Sequence, residues 1–324
     1  MVSSDRVPSA LKSAMNTPAM VTLSTQAMAT RFELLLYGVD EMRLRAAGEE
    51  ALAEIERLEA QLSFYRTDSE ISWINSRAAA EAVRLEPRLF HLLQHCAAFT
   101  AATDGAFDIT IGPLMRAWRF VSDTGAVPSG DDLEAARKLI GMHQVELDAE
   151  ALTIRFKQPG VQLDLGAYGK GYAIERAIDS LKENGVTSAL LHGGTSSSAV
   201  IGKPPHHPSW RIQLSEPLKT GEGFIHLDLA DEALSVSAIH GKAFTADGRT
   251  YGHVIDPRTG EPVNRALAAA VAGQSASTCE VLSTALLVIG PAWLGEMRER
   301  FVGYRAAVAY QESDAAIAIA RHGF

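Results

Sequence analysis

Residues 163–173 read LDLGAYGKGYA. An extended apolar segment runs into a glycine-rich turn, and Lys170 stands at the head of a helical stretch. Ala173, Ile174, Ala177, Ile178 and Leu181 form one apolar face of that stretch at helical spacing, up to Gly185. The strand TSALLHG comes next, at 187–193. The start of a helix presents free backbone N–H groups to an anion, and a lysine there adds a point charge. A tight turn with a solvated lysine is the alternative. The glycine spacing matches neither a Walker phosphate loop nor the GxGxxG dinucleotide fingerprint.

Toward the N-terminus, RFELLLY at 31–37 reads as a strand. Residues 40–62 carry Leu44, Ala47, Leu52, Ile55, Leu58 and Leu62 at helical spacing, with Asp40 as a cap. Ser69 precedes a short helical turn with Ile71, Trp73 and Ile74. Pro87 to Ala102 and Ser129 to Leu139 read as further helices. Leu147 to Leu165 reads as a hairpin: LTIRF, the turn KQPG, then VQLDL. Toward the C-terminus, WRIQL, FIHLDL, ALSVSA, YGHVIDP and ALAAAVAG alternate as short strands and loops. A helix runs from about Thr278 to Ile289, and FVGYRAAVAYQE closes the chain as one strand. No internal repeat, linker or regular βαβ spacing interrupts this order. The reading is an α+β fold: a single domain over 25–324, with mixed or antiparallel sheets, packed helices and an inserted helical lobe, behind a flexible arm over 1–24.

The 324 residues carry Lys+Arg 30 against Asp+Glu 39, a formal net charge of −9. Without a basic excess, general nucleic-acid binding is excluded, whereas one polyanionic small molecule can still find a local site. Cys96 and Cys279 lie far apart in apolar surroundings and read as buried free thiols. His206 and His207 sit among prolines as loop residues. The N-terminal residues show no export or lipidation pattern, and the apolar run Ala285–Ile289 is too short for a bilayer. The expectation is a cytoplasmic protein with no membrane span and no nucleic-acid partner.

Two further clusters carry possible chemistry. In HVIDPRTGEPV, 253–263, a strong Asp-Pro turn comes after His253, which titrates near neutrality. In EVLSTALLVIG, 280–290, Glu280 and Thr284 are one helical turn apart and face one way. A carboxylate and a hydroxyl suit a hard cation such as Mg²⁺. A helix-terminal acid with a back-bonded threonine is the alternative.

Taken in order, MAT at 28–30, LSFYRTDSEISWIN at 62–75, GAFDITIGPLMRAW at 105–118, LDLGAYGKGYA, LHGGTSSS at 191–198, HVIDPRTGEPV and EVLSTALLVIG resemble the ApbE-like FAD:protein FMN transferases. The resemblance implies a T-fold-related domain that takes FAD as substrate together with Mg²⁺. It implies transfer of FMN to a Thr or Ser hydroxyl within a flavinylation motif of an acceptor protein, with release of AMP. Hydrolysis of FAD to FMN and AMP, or FAD binding without transfer, are the alternatives. It further implies that Met28, Ser63, Phe64, Tyr65, Ala106, Phe107, Asp108, Asp164, Lys170 and Val254 surround FAD. Ala167, through its carbonyl, with Glu280 and Thr284 would hold the cation, and His253 and Lys170 would act in catalysis. Four positions depart from the family's usual pattern: Ala29 for Gly, Glu280 for Asp, Thr195 for Asn and Ala238 for Gly.

Overall fold

The chain first forms β1 (Ala19–Ala27) and β2 (Thr30–Gly38), an antiparallel pair joined through Met28 and Ala29. The computed structural model describes residues 18–324 except 123, 216–222, 240–241, 265 and 314–315. Residues 1–17 of the expected arm lie outside the described residues, while residues 19–24 of that arm belong to β1. In β2, Phe32, Leu34 and Leu36 alternate toward the core and are fully buried.

The next elements are helices α1 (Glu41–Leu62) and α2 (Glu70–Arg77), strand β3 (Val83–Arg84), and helices α3 (Pro87–Ala102), α4 (Gly112–Ala117) and α5 (Gly130–Arg137). Three of their caps come from residues that the sequence marks. Asp40 accepts from the Arg43 N–H at 3.1 Å, Ser69 from Ser72 at 3.0 Å and Ser129 from Asp132 at 3.2 Å. Then come β4 (Val145–Asp148), β5 (Thr153–Phe156), α6 (Gly169–Glu183), β6 (Ala189–Gly193), β7 (Ser197–Ile201), β8 (Trp210–Ser215), β9 (Gly223–Leu229) and β10 (Ala233–Ala238). The chain ends with β11 (Ala243–Ala246), β12 (Arg249–Gly252), β13 (Ala266–Gly273), α7 (Ala276–Ile289), α8 (Leu294–Arg300), β14 (Arg305–Ser313) and β15 (Ala316–His322).

The described strands build a sheet in the order β1-β2-β6-β7-β10-β13-β14-β15, antiparallel throughout. On one face α1, α6 and α7 bury the main core, with Ile55, Leu181, Leu282 and Leu286 enclosed. Burying an aliphatic side chain of this size contributes about 1.5–3 kcal/mol. On the other face the β8–β9 hairpin lays Trp210, Leu214, Leu227 and Leu229 over Val200, Leu234, Ala270 and Ala307. A third cluster joins α4 and α5 through Leu114, Met115, Trp118, Phe120 and Ala136, with Phe244 and Tyr251 of the β11–β12 hairpin packed on it. This is the helical lobe, and it holds that hairpin in place.

Two local expectations are corrected. The segment LTIRF does not pair with VQLDL. β5 pairs with β4 and β3 instead. The backbone of Leu163 is already bound on both sides by Asn75, and the Asp164 N–H donates to the Ile109 carbonyl at 2.7 Å, so the segment has no ladder to offer. The closing FVGYRAAVAYQE is not one strand. α8 ends at Arg300, β14 starts at Arg305, and β15 returns along it.

Candidate active site

Asn75 on α2 clamps the segment ahead of the glycine turn. Its Nδ2 donates to the Leu163 carbonyl at 2.9 Å, and its Oδ1 accepts from the Leu163 N–H at 2.7 Å. The next residue, Asp164, is buried and accepts from the Gly166 N–H at 2.8 Å. Burial pushes its carboxyl up, against the Gly166 bond and the charges of Arg116 and Lys242. Ala167 lies in the turn, and Lys170 stands in the first turn of α6. One residue on, a Cβ at Gly171 would lie 2.5 Å from the Ala276 carbonyl oxygen and 3.0 Å from the Glu280 Cβ. Only glycine permits α6 and α7 to approach this closely.

That approach delivers Lys170 to Glu280. The carboxylate of Glu280 is buried, takes a hydrogen bond from the Lys170 ammonium on Oε1, and accepts from the Ser197 hydroxyl on Oε2 at 3.1 Å. One turn further along α7, Thr284 lies 3.2 Å from the Ser237 hydroxyl of β10. Ser283 meets Ser237 at 2.9 Å and Ser235 at 3.1 Å. The cluster sets one buried carboxylate beside the Ser197 hydroxyl, with the linked Ser237, Ser283 and Thr284 hydroxyls one turn along, oxygen donors of the kind that suit a hard divalent cation. Among the described residues no group of three or more His, Cys, Asp or Glu side chains gathers to hold a metal, and this cluster offers one carboxylate.

Asp108 lies beside the Asp164 segment, through the Ile109 carbonyl. Its Oδ1 accepts from the N–H and the hydroxyl of Thr110, at 2.8 and 2.7 Å, and burial pushes its carboxyl up. The side chains of Ala106 and Phe107 belong to the core, Phe107 packing on Phe99 and Tyr168. This loop therefore offers a ligand its backbone and Asp108 rather than apolar side chains. In the loop after α1, Ser63 accepts from the Tyr65 and Arg66 N–H groups, both at 3.2 Å. Phe64 is buried beneath the Arg116 guanidinium, 5.0 Å from its ring, whereas Tyr65 is half exposed under the Lys242 ammonium.

His253 comes directly after β12 and extends its ladder. Its N–H donates to the Lys242 carbonyl at 2.9 Å, and its Nδ1 lies 3.1 Å from the same oxygen. An acceptor on Nδ1 places the ring hydrogen there and leaves the lone pair on Nε2. Burial, and then the charges of Lys242 and Lys170, push the imidazole below its ordinary value, so it is neutral at pH 7. Val254 accepts from the Val263 N–H at 2.9 Å, closing the loop. The same loop is tied to the helical lobe by the Trp118 indole, which donates to the Gly260 carbonyl at 2.8 Å.

Met28 and Ala29 occupy the turn between β1 and β2, both left-handed, with φ of 50° and 56°. The Met28 N–H donates to Glu59 at 2.7 Å. Thr30, next in the chain, packs on Gly194 of the β6–β7 turn, which leads directly to Ser197.

Some of the residues marked by sequence fall into two groups, while Met28, Ser63, Phe64, Ala106, Phe107, Asp108, Ala167 and Val254 belong to neither. Lys170, Glu280 and Thr284 share one cluster, and Tyr65, Asp164 and His253 surround Lys242. The sequence reading did not assign roles to Ser197, Ser237, Ser283, Asn75 or Lys242. The alternation of Ser235 and Ser237 on one strand face was the available signal for the hydroxyl wall.

The same helix-backed antiparallel architecture is found in solved structures of ApbE proteins. Residues 16–307 match the ApbE family, and the chain belongs to it. It is 31% identical over 235 residues to a FAD:protein FMN transferase of Klebsiella pneumoniae, covering 72% of this chain and 71% of that one. The crystal structure of the ApbE protein of Thermotoga maritima matches with a TM-score of 0.86 at 25% identity, over 94% of this chain and 97% of that one. The apo flavinyl transferase ApbE of Pseudomonas stutzeri matches with a TM-score of 0.79 at 28% identity, over 94% and 95%.

Proposed function

We propose that this chain is a Mg²⁺-dependent FAD:protein FMN transferase, moving FMN from FAD onto a Thr or Ser hydroxyl in a flavinylation motif of an acceptor protein. In this reading it works in the cytoplasm. The observation that carries it is the buried Glu280 carboxylate, held between Lys170 and Ser197 at the end of the glycine-rich turn. Glu280, Thr284 and the Ala167 carbonyl would hold the cation, which when bound neutralises charge on the diphosphate. The acceptor oxygen attacks the phosphorus on the FMN side, the bond to the AMP phosphate breaks, and AMP leaves. The neutral His253, with its lone pair on Nε2, takes the hydroxyl proton, because an unassisted hydroxyl is a weak nucleophile. Lys170 adds positive charge where the leaving phosphate develops its own. Met28, Ser63, Phe64, Tyr65, Asp108, Asp164 and Val254 would line the FAD-binding side of this arrangement, with Ala106 and Phe107 contributing their backbone.

The test is product analysis by liquid chromatography with mass detection, after incubation with FAD, Mg²⁺ and a peptide carrying a threonine acceptor. AMP with an FMN-bearing peptide is the expected result. AMP with free FMN alone makes the protein a FAD pyrophosphatase. Retained FAD with no AMP makes it a flavin-binding protein.

A further inference from the structure

Helix α7 is capped from two sides. Its own N-cap, Ser275, accepts from the Thr278 N–H at 3.2 Å. The second cap comes from another helix. Oε2 of Glu175, on α6, accepts from the Ser275 hydroxyl at 2.7 Å, from the Ser277 N–H at 3.1 Å and from the Ser277 hydroxyl at 2.9 Å. Ser277 is buried and Glu175 half-buried, which strengthens these bonds relative to exposed ones. The Ser277 N–H is one of the donors that a helix start leaves without an internal partner, and a carboxylate suits the positive end of the helix dipole.

The same two helices meet again where Lys170 and Gly171 of α6 reach Glu280 of α7. On each helix the two contacts are about one turn apart. They differ in kind. Gly171 has no side chain to lodge in a groove of α7, and the apolar contacts of Leu181, Leu282 and Leu286 have no preferred direction. The glycine sets how near the helices come, whereas the three directional bonds to Glu175 set where α7 stands along α6. We propose that Glu175 is a positioning residue for the cation site, an inference that rests on the function proposed above. By pinning the first turn of α7 it fixes the places of Glu280 and Thr284, and with them the affinity for Mg²⁺. It acts through the helix and touches neither Mg²⁺ nor FAD.

The experiment compares the unmodified protein with Glu175→Ala, Glu175→Gln and Ser277→Ala by calorimetric titration with Mg²⁺ alone. Glu175→Ala is expected to weaken Mg²⁺ about tenfold, the lower end of what losing a group that orients a metal ligand costs. Glu175→Gln keeps an amide oxygen for the same donors and should stay within about twofold of the unmodified protein. Ser277→Ala removes the hydroxyl bond and keeps the N–H bond, so it should shift in the same direction by less, and it decides the matter if Glu175→Ala does not fold. As a second readout, the Mg²⁺ needed for half-maximal AMP release should rise in Glu175→Ala while the KM for FAD stays in place. A merely structural role would lower the urea midpoint and leave both Mg²⁺ readouts of the folded protein unchanged. That result, or a matching loss of FAD affinity, overturns the proposal. Equal losses in Glu175→Ala and Glu175→Gln overturn it too, since charge rather than the bonds would then be acting. Unmodified protein that binds Mg²⁺ without forming an FMN-bearing acceptor refutes transfer yet leaves the titration to decide on Glu175. Unmodified protein that takes up no Mg²⁺ overturns both the cation site and the role of Glu175.

Discussion

The ammonium of Lys170 and the carboxylate of Glu280 meet across the contact between α6 and α7, at the point where Gly171 leaves no room for a side chain. The pair is enclosed, with side-chain exposures of 24% and 4%. Removing one partner of such a pair strands the other charge, at a cost of about 3 kcal/mol. Lys170→Met should lower stability by that order in urea unfolding, and the double variant Lys170→Met/Glu280→Gln should recover most of it. Equal midpoints for the single and double variants would show that the pair is not coupled.

In the proposed function Glu280 also sets the cation dependence. Glu280→Ala should abolish the Mg²⁺ requirement of AMP release together with the activity that depends on it, leaving a flat response to added Mg²⁺. A variant that still responds to Mg²⁺ as the unmodified protein does would remove Glu280 from the cation site.

Ala29 holds a left-handed backbone, φ 56°, at a position where the family usually has glycine. An L-residue there is strained by about 1–2 kcal/mol, partly offset by the freedom that glycine loses on folding. Ala29→Gly should therefore stabilise the protein by about 0.5–1 kcal/mol. Ala29→Val, with a branched Cβ, should destabilise it. Chemical unfolding midpoints test both directions, and a fall for Ala29→Gly would show that the turn is not strained.

Asn75→Ala strips both hydrogen bonds from the backbone of Leu163, which is fully buried. Two backbone groups left without partners should cost about 2 kcal/mol. Because the same segment runs into Asp164 and Lys170, the KM for FAD should rise as well. A stability loss with an unchanged KM would confine Asn75 to the fold.

His253 gives a pH dependence with a defined sign. Its proton affinity is lowered in the folded protein, so the imidazole is neutral at pH 7, and with His253 as the proposed base the rate should fall only on the acid side of the ordinary imidazole value of about 6.5. His253→Gln should cost about a hundredfold in rate and abolish that limb. The folded state also protonates more reluctantly than the unfolded one. The imidazole's share of stability is therefore present above the unfolded value and lost as pH falls from there through the folded one. A Gln variant that retains the acid limb would assign it to another group.

Much of the fold was legible along the chain. The alternation in Phe32, Leu34 and Leu36 marked β2, and the stripe from Leu44 to Leu62 with its Asp40 cap marked α1. Pro87–Ala102 and Ala266–Gly273 have the bounds that their patterns suggested. The hairpin at 147–165 was misread because alternation shows that a segment is extended, not which partner it takes. Asn75, 88 residues away, had already claimed the backbone of Leu163. β15 was missed because its alanine-rich alternation is a weak signal beside the stronger one of β14.

By itself the sequence determined the elements, their caps and the ordered motifs that place the chain in its family, because periodicity, capping and turn chemistry act between near neighbours. Only the tertiary structure decided that Lys170 would meet Glu280 across 110 residues, that the Ser197 hydroxyl would bond the carboxylate while Ser237 and Ser283 met one turn along, and that Lys242 would stand over Tyr65. Such meetings depend on helix approach and strand register, which are set by the packing of the whole core.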